Sequence, residues 1–253
     1  MIPKIIHYCW VGPNSMPDIV KHCIDSWHKY MPEYEIRKWD ETNIPIQQHN
    51  FMKEAYELKK WAFVSDQARY LIIQKYGGIF LDTDLELLKS IDDIMAQSDT
   101  VLALSKHVKK NIYFANPGLI LAASKGNKVI DDITDIYEGS HFKNEDGNPN
   151  LSLSSPRILT KYLIDNYGLK MKDKLQHLSD GILVLPTDYF DPINPRKIFG
   201  NKLQITQNTR GIHHGTATWI PMKKRIGLYA SILSRDILGD DFVDRIRGKE
   251  KMD

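Results

Sequence analysis

Apolar and polar positions alternate in blocks along this chain, and the blocks predict elements before any motif is considered. Ile5-Ile6-His7-Tyr8-Cys9-Trp10-Val11 is β-branched and aromatic and stops at Gly12-Pro13, as a first strand would. Pro17-Asp18 then opens a helix whose apolar positions Val20, Cys23, Ile24, Trp27 and Met31 recur at helical spacing, with Pro32 as its stop. Residues 34–39 read as a second strand. One long helix is expected from about Ala55 to Gly77-Gly78, followed by a strand running into Asp82. Further strands are expected over residues 100–104, 118–123 and 182–185, with helices near 127–137 and 156–166. Residues 139–155 are polar and read as an exposed loop. Alternating strands and helices predict a single α/β domain with a mostly parallel sheet covered on both faces.

Within the long helix, Trp61, Val64, Ala68 and Leu71 form an apolar stripe, and Lys60, Gln67 and Gln74 form a polar one. Ala62, Asp66, Arg69 and Ile73 share a third face. Asp66 and Arg69 are neighbours there, beside apolar residues rather than on the wet stripe. A structural ion pair explains this. So does a polar pair whose donors and acceptors take the hydroxyls of a sugar.

The strongest chemical signal is Asp82-Thr83-Asp84, which follows Gly77-Gly78-Ile79-Phe80-Leu81 and precedes Leu85-Glu86-Leu87-Leu88. An apolar run ending in two acids reads as a buried strand delivering carboxylates at its C-terminal tip, where open α/β sheets bind ligands. If the segment stays extended, both carboxylates face one side. Like charges that close repel unless a cation lies beside them, and carboxylate oxygens suit Mg²⁺ or Mn²⁺. A metal–diphosphate site is therefore expected; a solvated acidic turn is the alternative. On a regular first strand Tyr8 and Trp10 share a side, either as core or as a stacking platform for a base. His213 and His214, next to Gly215, are candidate metal ligands. Asn116-Pro117-Gly118 is a turn that could present an amide to a ligand.

Composition narrows the class without naming it. The chain has 253 residues, 42% hydrophobic and 26% charged, with a net charge of +2, so it carries no strong nucleic-acid footprint. Cys9 and Cys23 fit no disulfide framework, no signal peptide is read at Met1-Ile2-Pro3-Lys4, and no window approaches a membrane span. A cytoplasmic enzyme is the expectation. From Met222 onward, Lys223, Lys224, Arg225, Arg235, Arg245 and Arg247 mix with Leu228, Tyr229, Ile232 and Leu233 as an amphipathic helix pair. Such a segment packs on its own domain or contacts an anionic membrane at the inner face.

The chain resembles glycosyltransferase family 32 and, more distantly, the catalytic domains of large clostridial glucosylating toxins. Residues 2–12, Ser65-Asp66-Gln67-Ala68-Arg69-Tyr70, residues 76–84, Asn116-Pro117-Gly118, His213-His214 and Trp219 carry the resemblance. It implies a GT-A fold, Rossmann-like, over residues 1–221, with residues 222–253 as C-terminal helices packed on the same domain. It also implies Mn²⁺ or Mg²⁺, a nucleotide-sugar donor with a UDP-sugar favoured over a GDP-sugar, and retention of configuration. A glycan or lipid-linked oligosaccharide acceptor in capsule or lipopolysaccharide synthesis would follow. By the same resemblance Asp84 binds the metal, and Asp82 contacts ribose or sugar and shares the metal. Asp66, Arg69 and Asn116 lie at the donor sugar. Trp10 stacks on the base, one of His213 and His214 completes the metal shell, and Trp219 covers the diphosphate. Two positions depart from the family: Thr218 replaces a serine, and Ser154-Ser155-Pro156 stands for Thr-Gly-Pro. Two other readings stay open. One is a Mg²⁺-dependent phosphohydrolase of the haloacid-dehalogenase type, which also uses Asp-x-Asp after a strand. The other is a non-catalytic nucleotide-sugar-binding relative.

Overall fold

The computed structural model describes residues 1–106, 112–192 and 204–215. The elements in chain order are β1 (Ile5–Cys9), α1 (Asp18–Tyr30), β2 (Glu35–Trp39), α2 (Asn50–Glu57), α3 (Trp61–Tyr76), β3 (Gly78–Phe80), β4 (Leu85–Leu87) and α4 (Asp92–Met95). They continue as β5 (Thr100–Lys106), β6 (Tyr113–Ala115), β7 (Leu121–Ala123), α5 (Lys128–Glu138), α6 (Ser155–Tyr167), β8 (Gln176–Leu178), β9 (Ile182–Leu185) and β10 (Gly211–His213). The fold is α/β, as the alternating pattern predicts.

The main sheet runs β2-β1-β3-β7-β5-β9-β8, with β6 paired to β5. β1, β2, β3, β5 and β9 run in one direction; β6, β7 and β8 oppose them. Period-two alternation then sorts side chains to two cores. Leu102, Leu104 and Val184 pack with α2, α3, α5 and α6, whereas Val101, Ala103, Leu183 and Leu185 pack with Trp27, Ile94 and Met95 of α1 and α4. Each fully buried aliphatic contributes roughly 1.5–3 kcal/mol, so a register slip that exchanged the faces is strongly disfavoured. The aligned C-terminal ends of β1 and β3 supply the edge on which the acids stand.

Three expectations are corrected here. The single helix from Ala55 is two, because Lys59 adopts a left-handed φ of 54° and separates α2 from α3. The polar stripe of α3 does not face water. Gln67 is fully buried and donates to Glu138, and Gln74 donates to Asp131, both on α5. The loop after α5 is not wholly exposed either: Phe142 is buried, edge-on to Phe51 and against Phe63. Cys9 and Cys23 are free thiols. Among the described residues, no helix is long and apolar enough to cross a membrane. The C-terminal segment 222–253 lies outside the described residues.

Candidate active site

The site forms where β3 runs out. Leu81 N–H donates to His7 O and Asp82 N–H to Gly118 O, at 3.1 and 2.8 Å, after which the chain turns and Leu85 N–H closes back on Asp82 O at 3.0 Å. Asp82-Thr83-Asp84 therefore occupies a turn and is not extended, so strand alternation is not what aims its carboxylates. β10 pairs antiparallel with β4, setting His213 opposite Leu85. Its Nε2 lies 3.1 Å from Asp84 Oδ1.

One oxygen each from Asp82 and Asp84 and an imidazole nitrogen of His213 all lie within 4.8 Å of one another. Two carboxylates and an imidazole suit a Mn²⁺ or Mg²⁺ ion, and the proximity of two like charges favours a cation among them. The donor set fits the expected metal. Burial opposes charge on His213, but the Asp84 carboxylate and its hydrogen bond outweigh this and raise the imidazole to about 9, with Asp82 and Asp191 adding to the pull. His214 goes elsewhere. Its Nε2 bonds Glu86 Oε2 at 2.9 Å, while its backbone N–H donates to Asp84 O at 2.9 Å.

Arg69 stands beside the acids on α3. It is 4% exposed, and its Nη2 is 3.2 Å from Asp66 Oδ1 and 3.3 Å from Asp82 Oδ1. The guanidinium lies 4.8 Å from the Phe80 ring centre, and its Nε donates to Ser65 O at 3.2 Å. Burial disfavours the arginine charge, yet Asp82 and Asp66 more than offset it, so Arg69 stays cationic. Asp66 Oδ2 accepts from Ser155 N at the start of α6, 3.0 Å away. Burial raises Asp66 to about 6 against the opposing pull of Arg69. The pair proposed from helical spacing is thus an ion pair that also reaches the DXD turn.

A cleft of about 640 Å³ opens on these groups, lined by Trp10, Asp66, Arg69, Asp82, Asp84, Asn116 and His213. Asn116 Oδ1 accepts from Gly118 N at 3.0 Å, closing the turn under Asp82. Trp10 lines the cleft, its Nε1 donating to Asn14 O at 2.8 Å. Tyr8 does not join it. That ring is buried edge-on against Trp27, 5.6 Å between centroids, because β1 ends at Cys9 and the alternation does not carry through to Trp10. Trp219 lies outside the described residues. Sequence reasoning missed two supports. Gly118 has no space for a side chain, since a Cβ there would sit 2.0 Å from Asp82 Oδ2. Trp61 lines the cleft and abuts Gly12, where a Cβ would lie 2.8 Å from the indole Nε1. The Asn-Pro-Gly and Gly-Pro strings were the available signals.

The family profile described as a glycosyltransferase sugar-binding region containing a DXD motif matches residues 17–101. Over that region, about a third of its length, the chain is similar to the DXD-containing glycosyltransferases. Similar proteins include an uncharacterized glycosyltransferase of Acanthamoeba polyphaga mimivirus, 34% identical over 38% of this chain and 40% of that protein. Another is inositol phosphoceramide mannosyltransferase 1 of Schizosaccharomyces pombe, 26% identical over 45% of this chain and 38% of that protein. The matched region thus spans about two fifths of these relatives' lengths. A galactosyltransferase solved with donor and acceptor sugar analogs superposes with a TM-score of 0.48 at 12% identity, over 90% of this chain and 95% of that one.

Proposed function

We propose that this DXD protein is a metal-dependent, retaining glycosyltransferase. It would move a hexose or N-acetylhexosamine from a nucleotide sugar, a UDP-sugar in preference to a GDP-sugar, to a glycan or lipid-linked glycan in cell-surface polysaccharide synthesis. The observation that carries this reading is the convergence of Asp82, Asp84 and His213 in one cleft with the Asp66–Arg69 pair. Residues 1–221 would form the GT-A catalytic unit. Residues 222–253 would pack on it, with peripheral membrane contact the alternative role for their basic groups.

Asp84, Asp82 and His213 would hold Mn²⁺ or Mg²⁺. A bound divalent cation there supplies the positive charge that a departing diphosphate needs. Asp66 and Arg69 offer an acceptor and donors to the hydroxyls of the donor sugar, Asn116 sits at the same turn, and Trp10 offers a face to the base. Asp66 is tied to Arg69 and Ser155, Asp82 to Arg69 and Asp84 to His213, so each carboxylate lining the cleft is already engaged. That favours same-face displacement over a covalent sugar–enzyme intermediate. The acceptor oxygen bonds the anomeric carbon as the carbon–phosphate oxygen bond breaks, and the departing phosphate oxygen takes the hydroxyl proton. The pairing of Asp82 with Arg69 also argues against the phosphohydrolase, whose first Asp must be a free nucleophile.

The test is a panel of nucleotide sugars with Mn²⁺, scored by slow donor hydrolysis, which needs no acceptor. One donor should be consumed, and Asp84→Asn should abolish most of that turnover while the fold survives. Wild-type rates in purified Asp84→Asn protein would overturn the assignment. Rapid release of phosphate from an aryl phosphate would restore the phosphohydrolase, and donor binding without turnover would restore the non-catalytic relative.

A further inference from the structure

Beside the acidic rim lies a second cluster that the proposed chemistry does not use: His22, Glu86 and His214. Glu86 lies on β4, whose Leu85 and Leu87 are fully buried, so its side chain emerges on the opposite side of the strand. Each carboxylate oxygen takes one imidazole. Oε1 meets His22 Nε2 at 3.0 Å, and Oε2 meets His214 Nε2 at 2.9 Å. The two histidines come from different elements on opposite edges of β4.

On one edge α1 is fastened by Trp27 Nε1 donating to Leu85 O at 2.7 Å and by Ser26 Oγ accepting from Leu87 N at 2.9 Å. His22 is one helical turn before Ser26 and shares its face. On the other edge β10 pairs, among the described residues, with β4 through three residues, Gly211 opposite Leu87, Ile212 opposite Glu86 and His213 opposite Leu85, and His213 N–H also donates to Phe190 O at 2.9 Å. Beyond that one bond to Phe190, a three-residue strand in a two-stranded ribbon has only a short ladder of its own to hold it. Yet it carries His213, the one histidine that meets Asp82 and Asp84 among the described residues.

We propose that Glu86 is a positioning residue for the cation site: by holding His22 of α1 and His214, the residue after β10, on its two oxygens, it sets the place of the His213 side chain beside Asp84. The inference rests on the reading of Asp82, Asp84 and His213 as metal ligands. Its path is short. Glu86 fixes the His214 ring, the His214 backbone N–H is bonded to Asp84 O at 2.9 Å, and His213 is the preceding residue. Partners that orient metal ligands typically change metal affinity about 10–100-fold when removed, and a carboxylate acting through a neighbouring residue belongs at the lower end of that range.

The experiment is a calorimetric Mn²⁺ titration of the whole chain without any sugar nucleotide, on wild type, Glu86→Ala, Glu86→Leu and Glu86→Gln, each with its thermal melting curve. Glu86→Ala and Glu86→Leu should weaken Mn²⁺ binding about tenfold. Glu86→Gln keeps groups that can bond both rings and should stay within about threefold of wild type. Glu86→Leu fills the same space and gives the answer if the alanine variant does not fold. A merely structural role would lower the melting temperature and leave Mn²⁺ affinity untouched in folded protein. That result, with Asp84→Asn still abolishing binding, would overturn the positioning role alone. Wild-type protein that binds no Mn²⁺ would overturn the cation site and the positioning role together.

Discussion

Gly118→Ala should disable this protein at a cost of about 0–2.6 kcal/mol in stability, which leaves it folded. An alanine Cβ at that position would lie 2.0 Å from Asp82 Oδ2 and 2.6 Å from its Cγ, where real contacts stay beyond 3.0 Å. The backbone has no easy retreat, because Asp82 N–H is bonded to Gly118 O at 2.8 Å and Gly118 N–H to Asn116 Oδ1 at 3.0 Å. Gly118 is not among the glycines with left-handed φ, so alanine itself is not strained there. The Asp82 carboxylate must therefore move by about 1 Å or more, lengthening its 3.3 Å contact with Arg69 and leaving the cluster with Asp84 and His213. A displacement of that size costs on the order of 10²-fold in rate, about 2.7 kcal/mol of transition-state stabilisation. Overpacking of ~1–3 kcal/mol is partly offset by the ~0.4–1 kcal/mol that removing a glycine contributes. Donor hydrolysis with Mn²⁺ and a melting curve measure both effects. A folded Gly118→Ala protein with wild-type turnover would refute the claim that the placement of Asp82 matters.

Other outcomes follow from the same geometry. Arg69→Lys should lower turnover about 10²-fold, because Nη2 meets Asp66 at 3.2 Å and Asp82 at 3.3 Å while Nε is anchored on Ser65 O, an anchor that lysine lacks; steady-state donor hydrolysis reports it. Chelation by EDTA should stop hydrolysis and added Mn²⁺ should restore it, read in the same assay. His7 is buried, accepts from Trp39 Nε1 on Nδ1 and donates from Nε2 to Gly77 O, and burial lowers it from 6.5 to about 4. Its neutral form is therefore the folded form. The stability it contributes is complete above pH 6.5 and is lost as pH falls toward 4, about 3 kcal/mol across that window. Urea unfolding of wild type and His7→Gln should show their stability difference shrinking between pH 7 and pH 5; a constant difference would contradict the assignment.

Much of the framework was legible because punctuation and period agreed. Gly12-Pro13, Pro17, Pro32 and Gly77-Gly78 bounded the elements, and i, i+3, i+4 spacing picked out the buried face of α1. What stayed hidden depended on contacts distant in sequence or on rare backbone states. Nothing in Leu58-Lys59-Lys60 announces a left-handed lysine. Gln67 and Gln74 look solvated until Glu138 and Asp131 of α5 arrive to bond them. At the site, residue types pointed to the acids, to Asp66 with Arg69 and to the histidine pair. The separation of His213 from His214 needed the β4–β10 register, and the burial of Tyr8 needed the end of β1 at Cys9. Asp82 and Asp84 were assigned to one side for the wrong local reason: a turn brings them together, not a strand.

The most direct measurement is a crystal of the protein grown with Mn²⁺ and UDP, with diffraction recorded at the manganese absorption edge. An anomalous peak among the carboxylates of Asp82 and Asp84 and the imidazole of His213, with the diphosphate on its open side, is the predicted result. A peak elsewhere, or nucleotide bound with those three side chains unligated, would contradict it.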